Sequence, residues 1–470
     1  MHPFATYVLR SYYSATGWNE DNLYANLTRS SNAILDFTVP RGLHLSISKS
    51  PNALFNTSYS MNAMPSLNGS VGYIFTSCNL DVKSSGDVRF KDMIERFKVY
   101  HQPRRPEGKE EEWLGGERVD TRDYLLYGRL YLPTGRLDAL YSTRLSPTVQ
   151  ALVAAISDPR SSLSAEKRTR GDNVSNVMFS LQHDVGKWCS EYTWSAEDGM
   201  WGVRVLHNFG RLGVPPEQPA EGPADSSTPL ARPKRVDEED ATEGGLKGRI
   251  SAGAEFYISA KERSAGVSTG IRFTTLPDAT PPSFQIPPSS SSPLSPSLSQ
   301  PPTTITALFN PMMGHLSAAY AARVSRDLSL CSRFDFNVYS YDSEWTMGAE
   351  WWMRRAPQKP TSVEDADPAL VAEGQPELVT KPEPIIKPES TIKPESIIKP
   401  EPIVPPDHAE SGSDIRGVVK ARISTNNNVS LMWEGRIKQM LVSLGVVSDL
   451  SSRSKPIKAI GLELSYFSTG

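Results

Sequence analysis

The chain has 470 residues, 38% of them hydrophobic, with 50 basic and 53 acidic residues and a net charge of −3. No stretch approaches the roughly 20 apolar residues that a membrane-crossing helix requires, which excludes a helical membrane protein. The balanced charge leaves no broad positive field for nucleic acid, and a length of this order suits either several ordinary domains or one large closed sheet with insertions.

The first element is predicted as a short amphipathic helix over residues 1–17. Phe4, Tyr7, Val8, Tyr12 and Ala15 recur at helical spacing before the breaker Gly17. In a barrel such a helix can enter the lumen and brace the wall; otherwise it lies on a membrane surface or frays. From residue 35 to the end the dominant signal is period-two alternation. It begins with Leu43 to Ile47 and Val71 to Phe75 and continues through Leu125 to Tyr131, Leu137 to Leu145, Val177 to Leu181 and Trp188 to Trp194.

Trp201, Val203 and Val205 alternate with Gly202 and Arg204. The clearest strand sets Ile250, Ala252, Ala254, Phe256 and Ile258 against Arg249, Ser251, Gly253, Glu255 and Tyr257, and Val267, Ile271 and Phe273 follow in the same manner. A meander of three then runs from Leu316 to Val324, Leu328 to Val338 and Trp345 to Met353. The last strand, Lys458 to Phe467, places Ile460, Leu462, Leu464 and Tyr466 on one face and Ala459, Gly461, Glu463 and Ser465 on the other. In all, the pattern predicts roughly fifteen to nineteen strands.

Four segments interrupt it. Residues 103–121 are charged, 214–246 are rich in Pro and acidic groups, 277–303 are almost wholly Pro and Ser, and 356–413 hold a six-residue repeat starting at Lys381, Lys387, Lys393 and Lys399. Such compositions bury too little apolar surface to offset ordering entropy, so each is predicted as a disordered loop between strands. The repeat reads either as a partner-docking spacer or as a tolerated loop expansion.

Two fold classes share this alternation, a soluble all-β domain and a membrane barrel. Trp188, Trp194, Trp201, Tyr339, Tyr341, Trp345 and Trp352 sit at strand ends like the girdles of a barrel, and Glu191, Arg204, Glu255, Arg272, Arg333, Asp335 and Glu350 on the opposite faces suit a wet lumen. No chemistry-bearing constellation accompanies them. Cys78, Cys189 and Cys331 are far apart and read as ordinary strand residues, and the seven His have no metal-ligand spacing. There is no phosphate loop, nucleophile elbow or paired-carboxylate signature, so neither an enzyme nor a cofactor or metal site is expected.

The runs ATGWNEDNLYANLT (15–28), LDFTVPRGLHLSIS (35–48), LYGRLYLPTGRLDALYSTRLSP (126–147), RVLHNF (204–209), NPMMGHLSAAYAA (310–322), CSRFDFNVYSYDSEWTMGAEWW (331–352) and LMWEGRIK (431–438) together resemble the fungal mitochondrial distribution and morphology protein ten family. That resemblance implies an all-β transmembrane β-barrel of the mitochondrial porin type over residues 35–470, with nineteen strands and the N-terminal helix in the lumen.

It further implies a multi-pass outer-membrane protein at contacts with the endoplasmic reticulum. Such a protein anchors the ER-mitochondria tether, which serves phospholipid exchange, mitochondrial morphology and inheritance. It also associates with the sorting and assembly machinery and with import translocase subunits. The expected partners are therefore membrane lipid and those complexes, not nucleic acid; a porin-like metabolite channel is the alternative. The terminal strand matches a barrel sorting signal at Gly461, Leu464 and Tyr466, with Ala459 where a polar residue belongs. Tyr73 with Phe75, and Arg272 with Phe273, are the candidate partner contacts. An odd strand number requires the first and last strands to pair in parallel.

Overall fold

Each alternating run becomes a strand because its two faces meet different surroundings, and in this computed structural model the greasy face points outward. The structure describes residues 3–99, 113–114, 117–118, 123–158, 175–212, 248–275, 301–354, 415–451 and 456–469. Most of 103–121, nearly all of 277–303 and the whole of 214–246 and 356–413 lie outside the described residues. Within 103–121 a two-residue ladder pairs Trp113–Leu114 with Glu117–Arg118.

Nineteen strands form one sheet. They are β1 (Gly42–Asn52), β2 (Phe55–Met64), β3 (Asn68–Thr76), β4 (Tyr124–Leu132), β5 (Leu137–Ser146) and β6 (Val149–Ser157). Next come β7 (Ser175–Asp184), β8 (Trp188–Ser195), β9 (Met200–Leu212), β10 (Gly248–Ser259), β11 (Ser264–Thr275) and β12 (Thr303–Asn310). The circuit finishes with β13 (His315–Arg323), β14 (Leu328–Asn337), β15 (Ser343–Arg354), β16 (Ile415–Ser424), β17 (Asn428–Ile437), β18 (Met440–Asp449) and β19 (Ile457–Thr469). Sequence neighbours pair antiparallel throughout, and β19 returns to β1 in parallel, from Gly42 opposite Gly461 to Ser50 opposite Thr469. Closure leaves no edge.

The surface is inverted relative to a water-soluble protein. Trp188, Tyr192, Trp201, Phe256, Trp345 and Trp351 are exposed on the outside, while Arg129, Arg249, Arg272, Glu350 and Lys420 are buried within. Strands of 8 to 13 residues match the length that a tilted strand needs to cross a bilayer. Together these features fit a wall that faces lipid. One girdle residue departs from expectation. Trp352 points inward and donates its indole N–H to Glu350 at 2.7 Å, because it occupies the even position of a strand whose odd positions, Trp345 and Trp351, face out.

Alternation also sorts the connections. Odd-numbered strands all end at one rim, so the connections 77–123, 213–247, 276–302 and 355–414, which carry the four predicted insertions, all join strands there. The other rim is closed mainly by short turns, such as 196–199, 260–263 and 425–427. Sequence alone left the sidedness of these loops open because it depends on strand parity.

The strand sequence starts at Gly42, seven residues later than the predicted barrel boundary at 35. Residues Leu35 to Arg41 belong instead to a segment inside the barrel. Cys189 and Cys331 are strand residues, but Cys78 is not: it lies in the bend after β3, where its thiol donates to Asp123 at 3.0 Å.

Candidate functional site: the filled lumen and the closing seam

Two stretches of chain occupy the lumen, residues 3–41 and the β3–β4 segment 77–99. The first begins with α1 (Pro3–Thr16), which opens on a proline suited to a first helical turn and ends before Gly17 at φ 67°, a left-handed position that glycine adopts freely. Phe4, Tyr7, Val8 and Tyr12 face the wall, joined by Ala5, Tyr13 and Thr16; Ala15, expected on this face, is exposed. They pack on Ile74, Leu125, Tyr127, Leu140 and Phe467 from the wall and on Leu80, Val82 and Val88 from the β3–β4 segment. Burial pushes the Tyr13 phenol up to about 12 and raises that of Tyr12 as well.

Beyond α1 the chain runs along the wall as two short turns. Asn22 is their anchor: it donates to Asp184 at 2.7 Å and accepts from Asn208 at 2.6 Å. Both amide partners lie on strands of the wall, so a buried polar side chain is satisfied at both ends. Leu23, Tyr24 and Leu27 cover Cys189 and Leu206. Tyr24 sits over Gly253, where a Cβ would come within 2.6 Å of its ring.

Helix α2 (Arg29–Leu35) follows, and its C-terminal carbonyls are orphans by construction. The wall supplies their donors. Lys420 Nζ donates to the carbonyl of Ala33 at 2.9 Å, and Arg422 Nη1 donates to that of Leu35 at 2.9 Å. Cations are favoured at a helix C-terminus, so the sites suit the charge as well as the hydrogen bond. Arg333 then holds Asp36, the next residue, with both guanidinium ends at 2.7 and 3.0 Å.

Residues 77–99 descend from the rim of long connections and are fixed in the same way. Arg436 donates to the carbonyls of Gly86 and Val88, and Ser85 donates to the carbonyl of Phe467 at 3.0 Å. Phe97 N–H donates to Glu350 at 3.3 Å, and Lys420 donates to the carbonyl of Glu95. Lys420 and Glu350 lie 3.8 Å apart with side chains only 2% and 1% exposed. The two lumen segments also bind each other. Ser30 donates to the carbonyl of Lys98 at 2.8 Å, and Glu95 pairs with Arg10 and with Arg29 at 3.3 Å. Burial alone raises the Glu95 carboxyl, but Arg10 and Arg29 outweigh it and hold it below its ordinary value.

Lumen charges expected to be solvated are paired instead. Arg204 bridges Glu255 at 2.7 Å and Glu191 at 3.3 Å, and Arg333 pairs with Asp335 as well as with Asp36. A cavity of about 1230 Å³ remains. Arg422, Ser430, Val447 and His44 line it from the halves of their strands nearest the rim of short turns, and Met93, Ile94 and Glu95 bound it from the lumen segments.

The sorting-signal residues divide between the two faces of β19. Gly461 faces inward, where a Cβ would stand 2.1 Å from the carbonyl oxygen of Pro40, while Leu464 and Tyr466 lie on the outward face. Phe467, next in line and buried, packs on Phe4 and Tyr7 with ring centroids 5.5 and 6.1 Å apart.

Tyr73 and Phe75 are both exposed on the outer face of β3 and flank Phe55, at 6.1 and 4.5 Å between centroids. The other predicted partner contact does not form a surface. Arg272 is 1% exposed in the lumen, donating to the carbonyl of Asn26 at 3.4 Å, and Phe273 is on the opposite face of the same strand. Adjacent strand residues point to opposite sides, so an i, i+1 pair cannot offer one patch.

Sequence reasoning found the N-terminal helix but missed residues 18–34 and 77–99 as lumen filling. A signal was present. Inward positions that carry glycine, such as Gly253, Gly348, Gly445 and Gly461, are where Tyr24, Leu35, Val39 and Pro40 approach the wall.

The family profile described as mitochondrial distribution and morphology protein 10 matches residues 1–468. Proteins of that name resemble the chain over its full length. The relative from Laccaria bicolor is 72% identical and that from Postia placenta 70%, each covering 100% of both chains. The relative from Cryptococcus neoformans is 42% identical over 99% of both.

Proposed function

The chain belongs to the mitochondrial distribution and morphology protein 10 family, and from that membership we propose that it is an outer-membrane anchor shared by the ER-mitochondria tether and the barrel sorting and assembly machinery. Family membership gives it a role in mitochondrial distribution and morphology. The finer reading is that the barrel holds tether subunits at contact sites, where phospholipid is exchanged, and supports assembly of outer-membrane barrels and of the import translocase. In this reading it acts by binding, with no catalytic step and no cofactor.

One observation carries the choice of anchor over metabolite channel. A porin-type conduit needs a wet, continuous lumen, whereas here α1, α2 and the β3–β4 segment occupy much of it, leaving a cavity of about 1230 Å³, and are fixed to the wall by Lys420, Arg422, Arg333 and Arg436. The outward apolar belt supports membrane residence, and the exposed Tyr73–Phe55–Phe75 cluster supplies an aromatic surface to a neighbour.

Alkaline carbonate extraction of mitochondria followed by affinity purification of the tagged chain tests the proposal. Retention in the membrane together with co-purification of both tether and assembly subunits is expected. Release by carbonate would overturn the membrane anchor, and retention without either set of partners would leave the channel as the better reading.

A further inference from the structure

Lys420 donates to the carbonyl of Ala33 in α2 and to the carbonyl of Glu95 in the β3–β4 segment, and its ammonium stands 3.8 Å from the carboxylate of Glu350 on the neighbouring strand as an ion pair. Glu350 in turn accepts from Phe97 N–H of the β3–β4 segment and from Trp352 of the wall. One buried ion pair therefore touches both lumen segments. These segments are adjacent in space but 66 to 85 residues apart in sequence at their hydrogen-bonded and ion-pair contacts.

We propose that residues 3–41 and 77–99 form a single plug that leaves the lumen as one unit, with the Lys420–Glu350 pair as the latch that both segments depend on. Three observations join the segments. The latch bonds to each, Ser30 and Lys98 bond directly, and Glu95 of one is clamped by Arg10 and Arg29 of the other. Removing either segment alone breaks all three connections and strands the latch. Losing the Ala33 or Glu95 carbonyl, or the Phe97 N–H, leaves a buried charged group short of a hydrogen bond, which is costly in a protein interior. The latch is thus a positioning pair, and the inference stands apart from the tether reading because it concerns only this chain.

The chain carries its own reporters. Cys331 lies under Ile34 and Leu35 of the first segment and Phe97 of the second. Cys189 lies under Leu23, Tyr24 and Leu27, on strands remote from the latch in sequence. Cys78 is partly buried, belongs to the second segment and packs against the α1 cluster.

The test is labelling of the full-length barrel in nanodiscs with a membrane-impermeant maleimide, each cysteine being followed by mass spectrometry. Lys420→Met and Lys420→Met/Glu350→Gln are compared with wild type, and circular dichroism checks the strand content. With the latch removed, Cys331 and Cys189 should both label faster by roughly a hundredfold or more, since labelling follows the open fraction. Unchanged protection of Cys331 in a folded variant overturns the latch. Exposure of Cys331 with Cys189 still protected overturns release as a unit. Should the variants not fold, hydrogen exchange of the wild-type barrel decides: amides of α1, α2 and 77–99 should share one opening equilibrium, and separate equilibria for the two segments overturn the proposal.

Discussion

The hydroxyl of Ser46 donates to that of Ser465 at 2.8 Å, tying the first strand of the barrel to the last. Their strands run parallel, a pairing slightly weaker per residue than the antiparallel ladders elsewhere. The seam is reinforced from inside. Phe467 packs on Phe4 and Tyr7, and Ser85 bonds to the carbonyl of Phe467 and to that of Gln439 on the neighbouring turn. The lumen segments and the closure therefore stabilise one another.

Phe467→Ala should show this directly. The ring is 2% exposed and lies against α1, so truncation should cost about 3–5 kcal/mol in a denaturant titration of the refolded barrel. A loss near that of an exposed outward residue such as Ile460→Ala would mean that the seam does not lean on the helix.

Gly461 and the outward pair Leu464 and Tyr466 should behave differently from one another. Gly461→Ala sets a methyl against the Pro40 backbone and should destabilise the purified barrel by about 1–3 kcal/mol. Leu464→Asn and Tyr466→Asn touch no lumen packing, so in detergent their stability should stay near wild type while insertion into isolated mitochondria falls. Equal losses in both assays for all three variants would remove the separate sorting role.

Acid should loosen the plug through Glu95. Its carboxyl is held below the ordinary value in the folded state, so its contribution is complete above the unfolded carboxylate value and is lost as pH falls through the folded one. The side chain is 52% exposed, so solvent screening limits the effect to a modest fall in the thermal midpoint. Glu95→Gln should flatten the acid limb of that profile; an identical pH profile in the variant would contradict the assignment.

Tyr73→Ala with Phe75→Ala should leave the barrel folded and reduce recovery of partner subunits, because both rings are on the outer face. Arg272→Met should do the reverse, lowering stability through the lost bond to Asn26 while partner recovery holds. Undiminished recovery with both tyrosine and phenylalanine removed would eliminate this surface.

The strands were legible in the sequence because their alternation is long and one-sided, as from Ile250 to Ile258, but alternation fits a soluble sheet equally well; the closed barrel of nineteen strands, and with it the parallel seam, came from the family resemblance. The lumen was less legible. Residues 18–34 and 77–99 lack a period of their own: their turns are set by contacts such as Asn22 with Asp184 and Asn208, or Arg436 with Gly86, between positions up to 350 residues apart. Long-range polar pairing of this kind leaves no local trace. Arg272 illustrates the same limit. Beside Phe273 in sequence it suggested a surface patch, and the pleat of the strand sends it inside.

The account rests on a lumen that is filled, and planar-bilayer recording of the wild-type barrel measures that most directly. The filled lumen predicts no stable conductance of porin size, with current appearing only in variants that lose the plug. A steady, large conductance in the wild-type protein would contradict it and restore the channel reading.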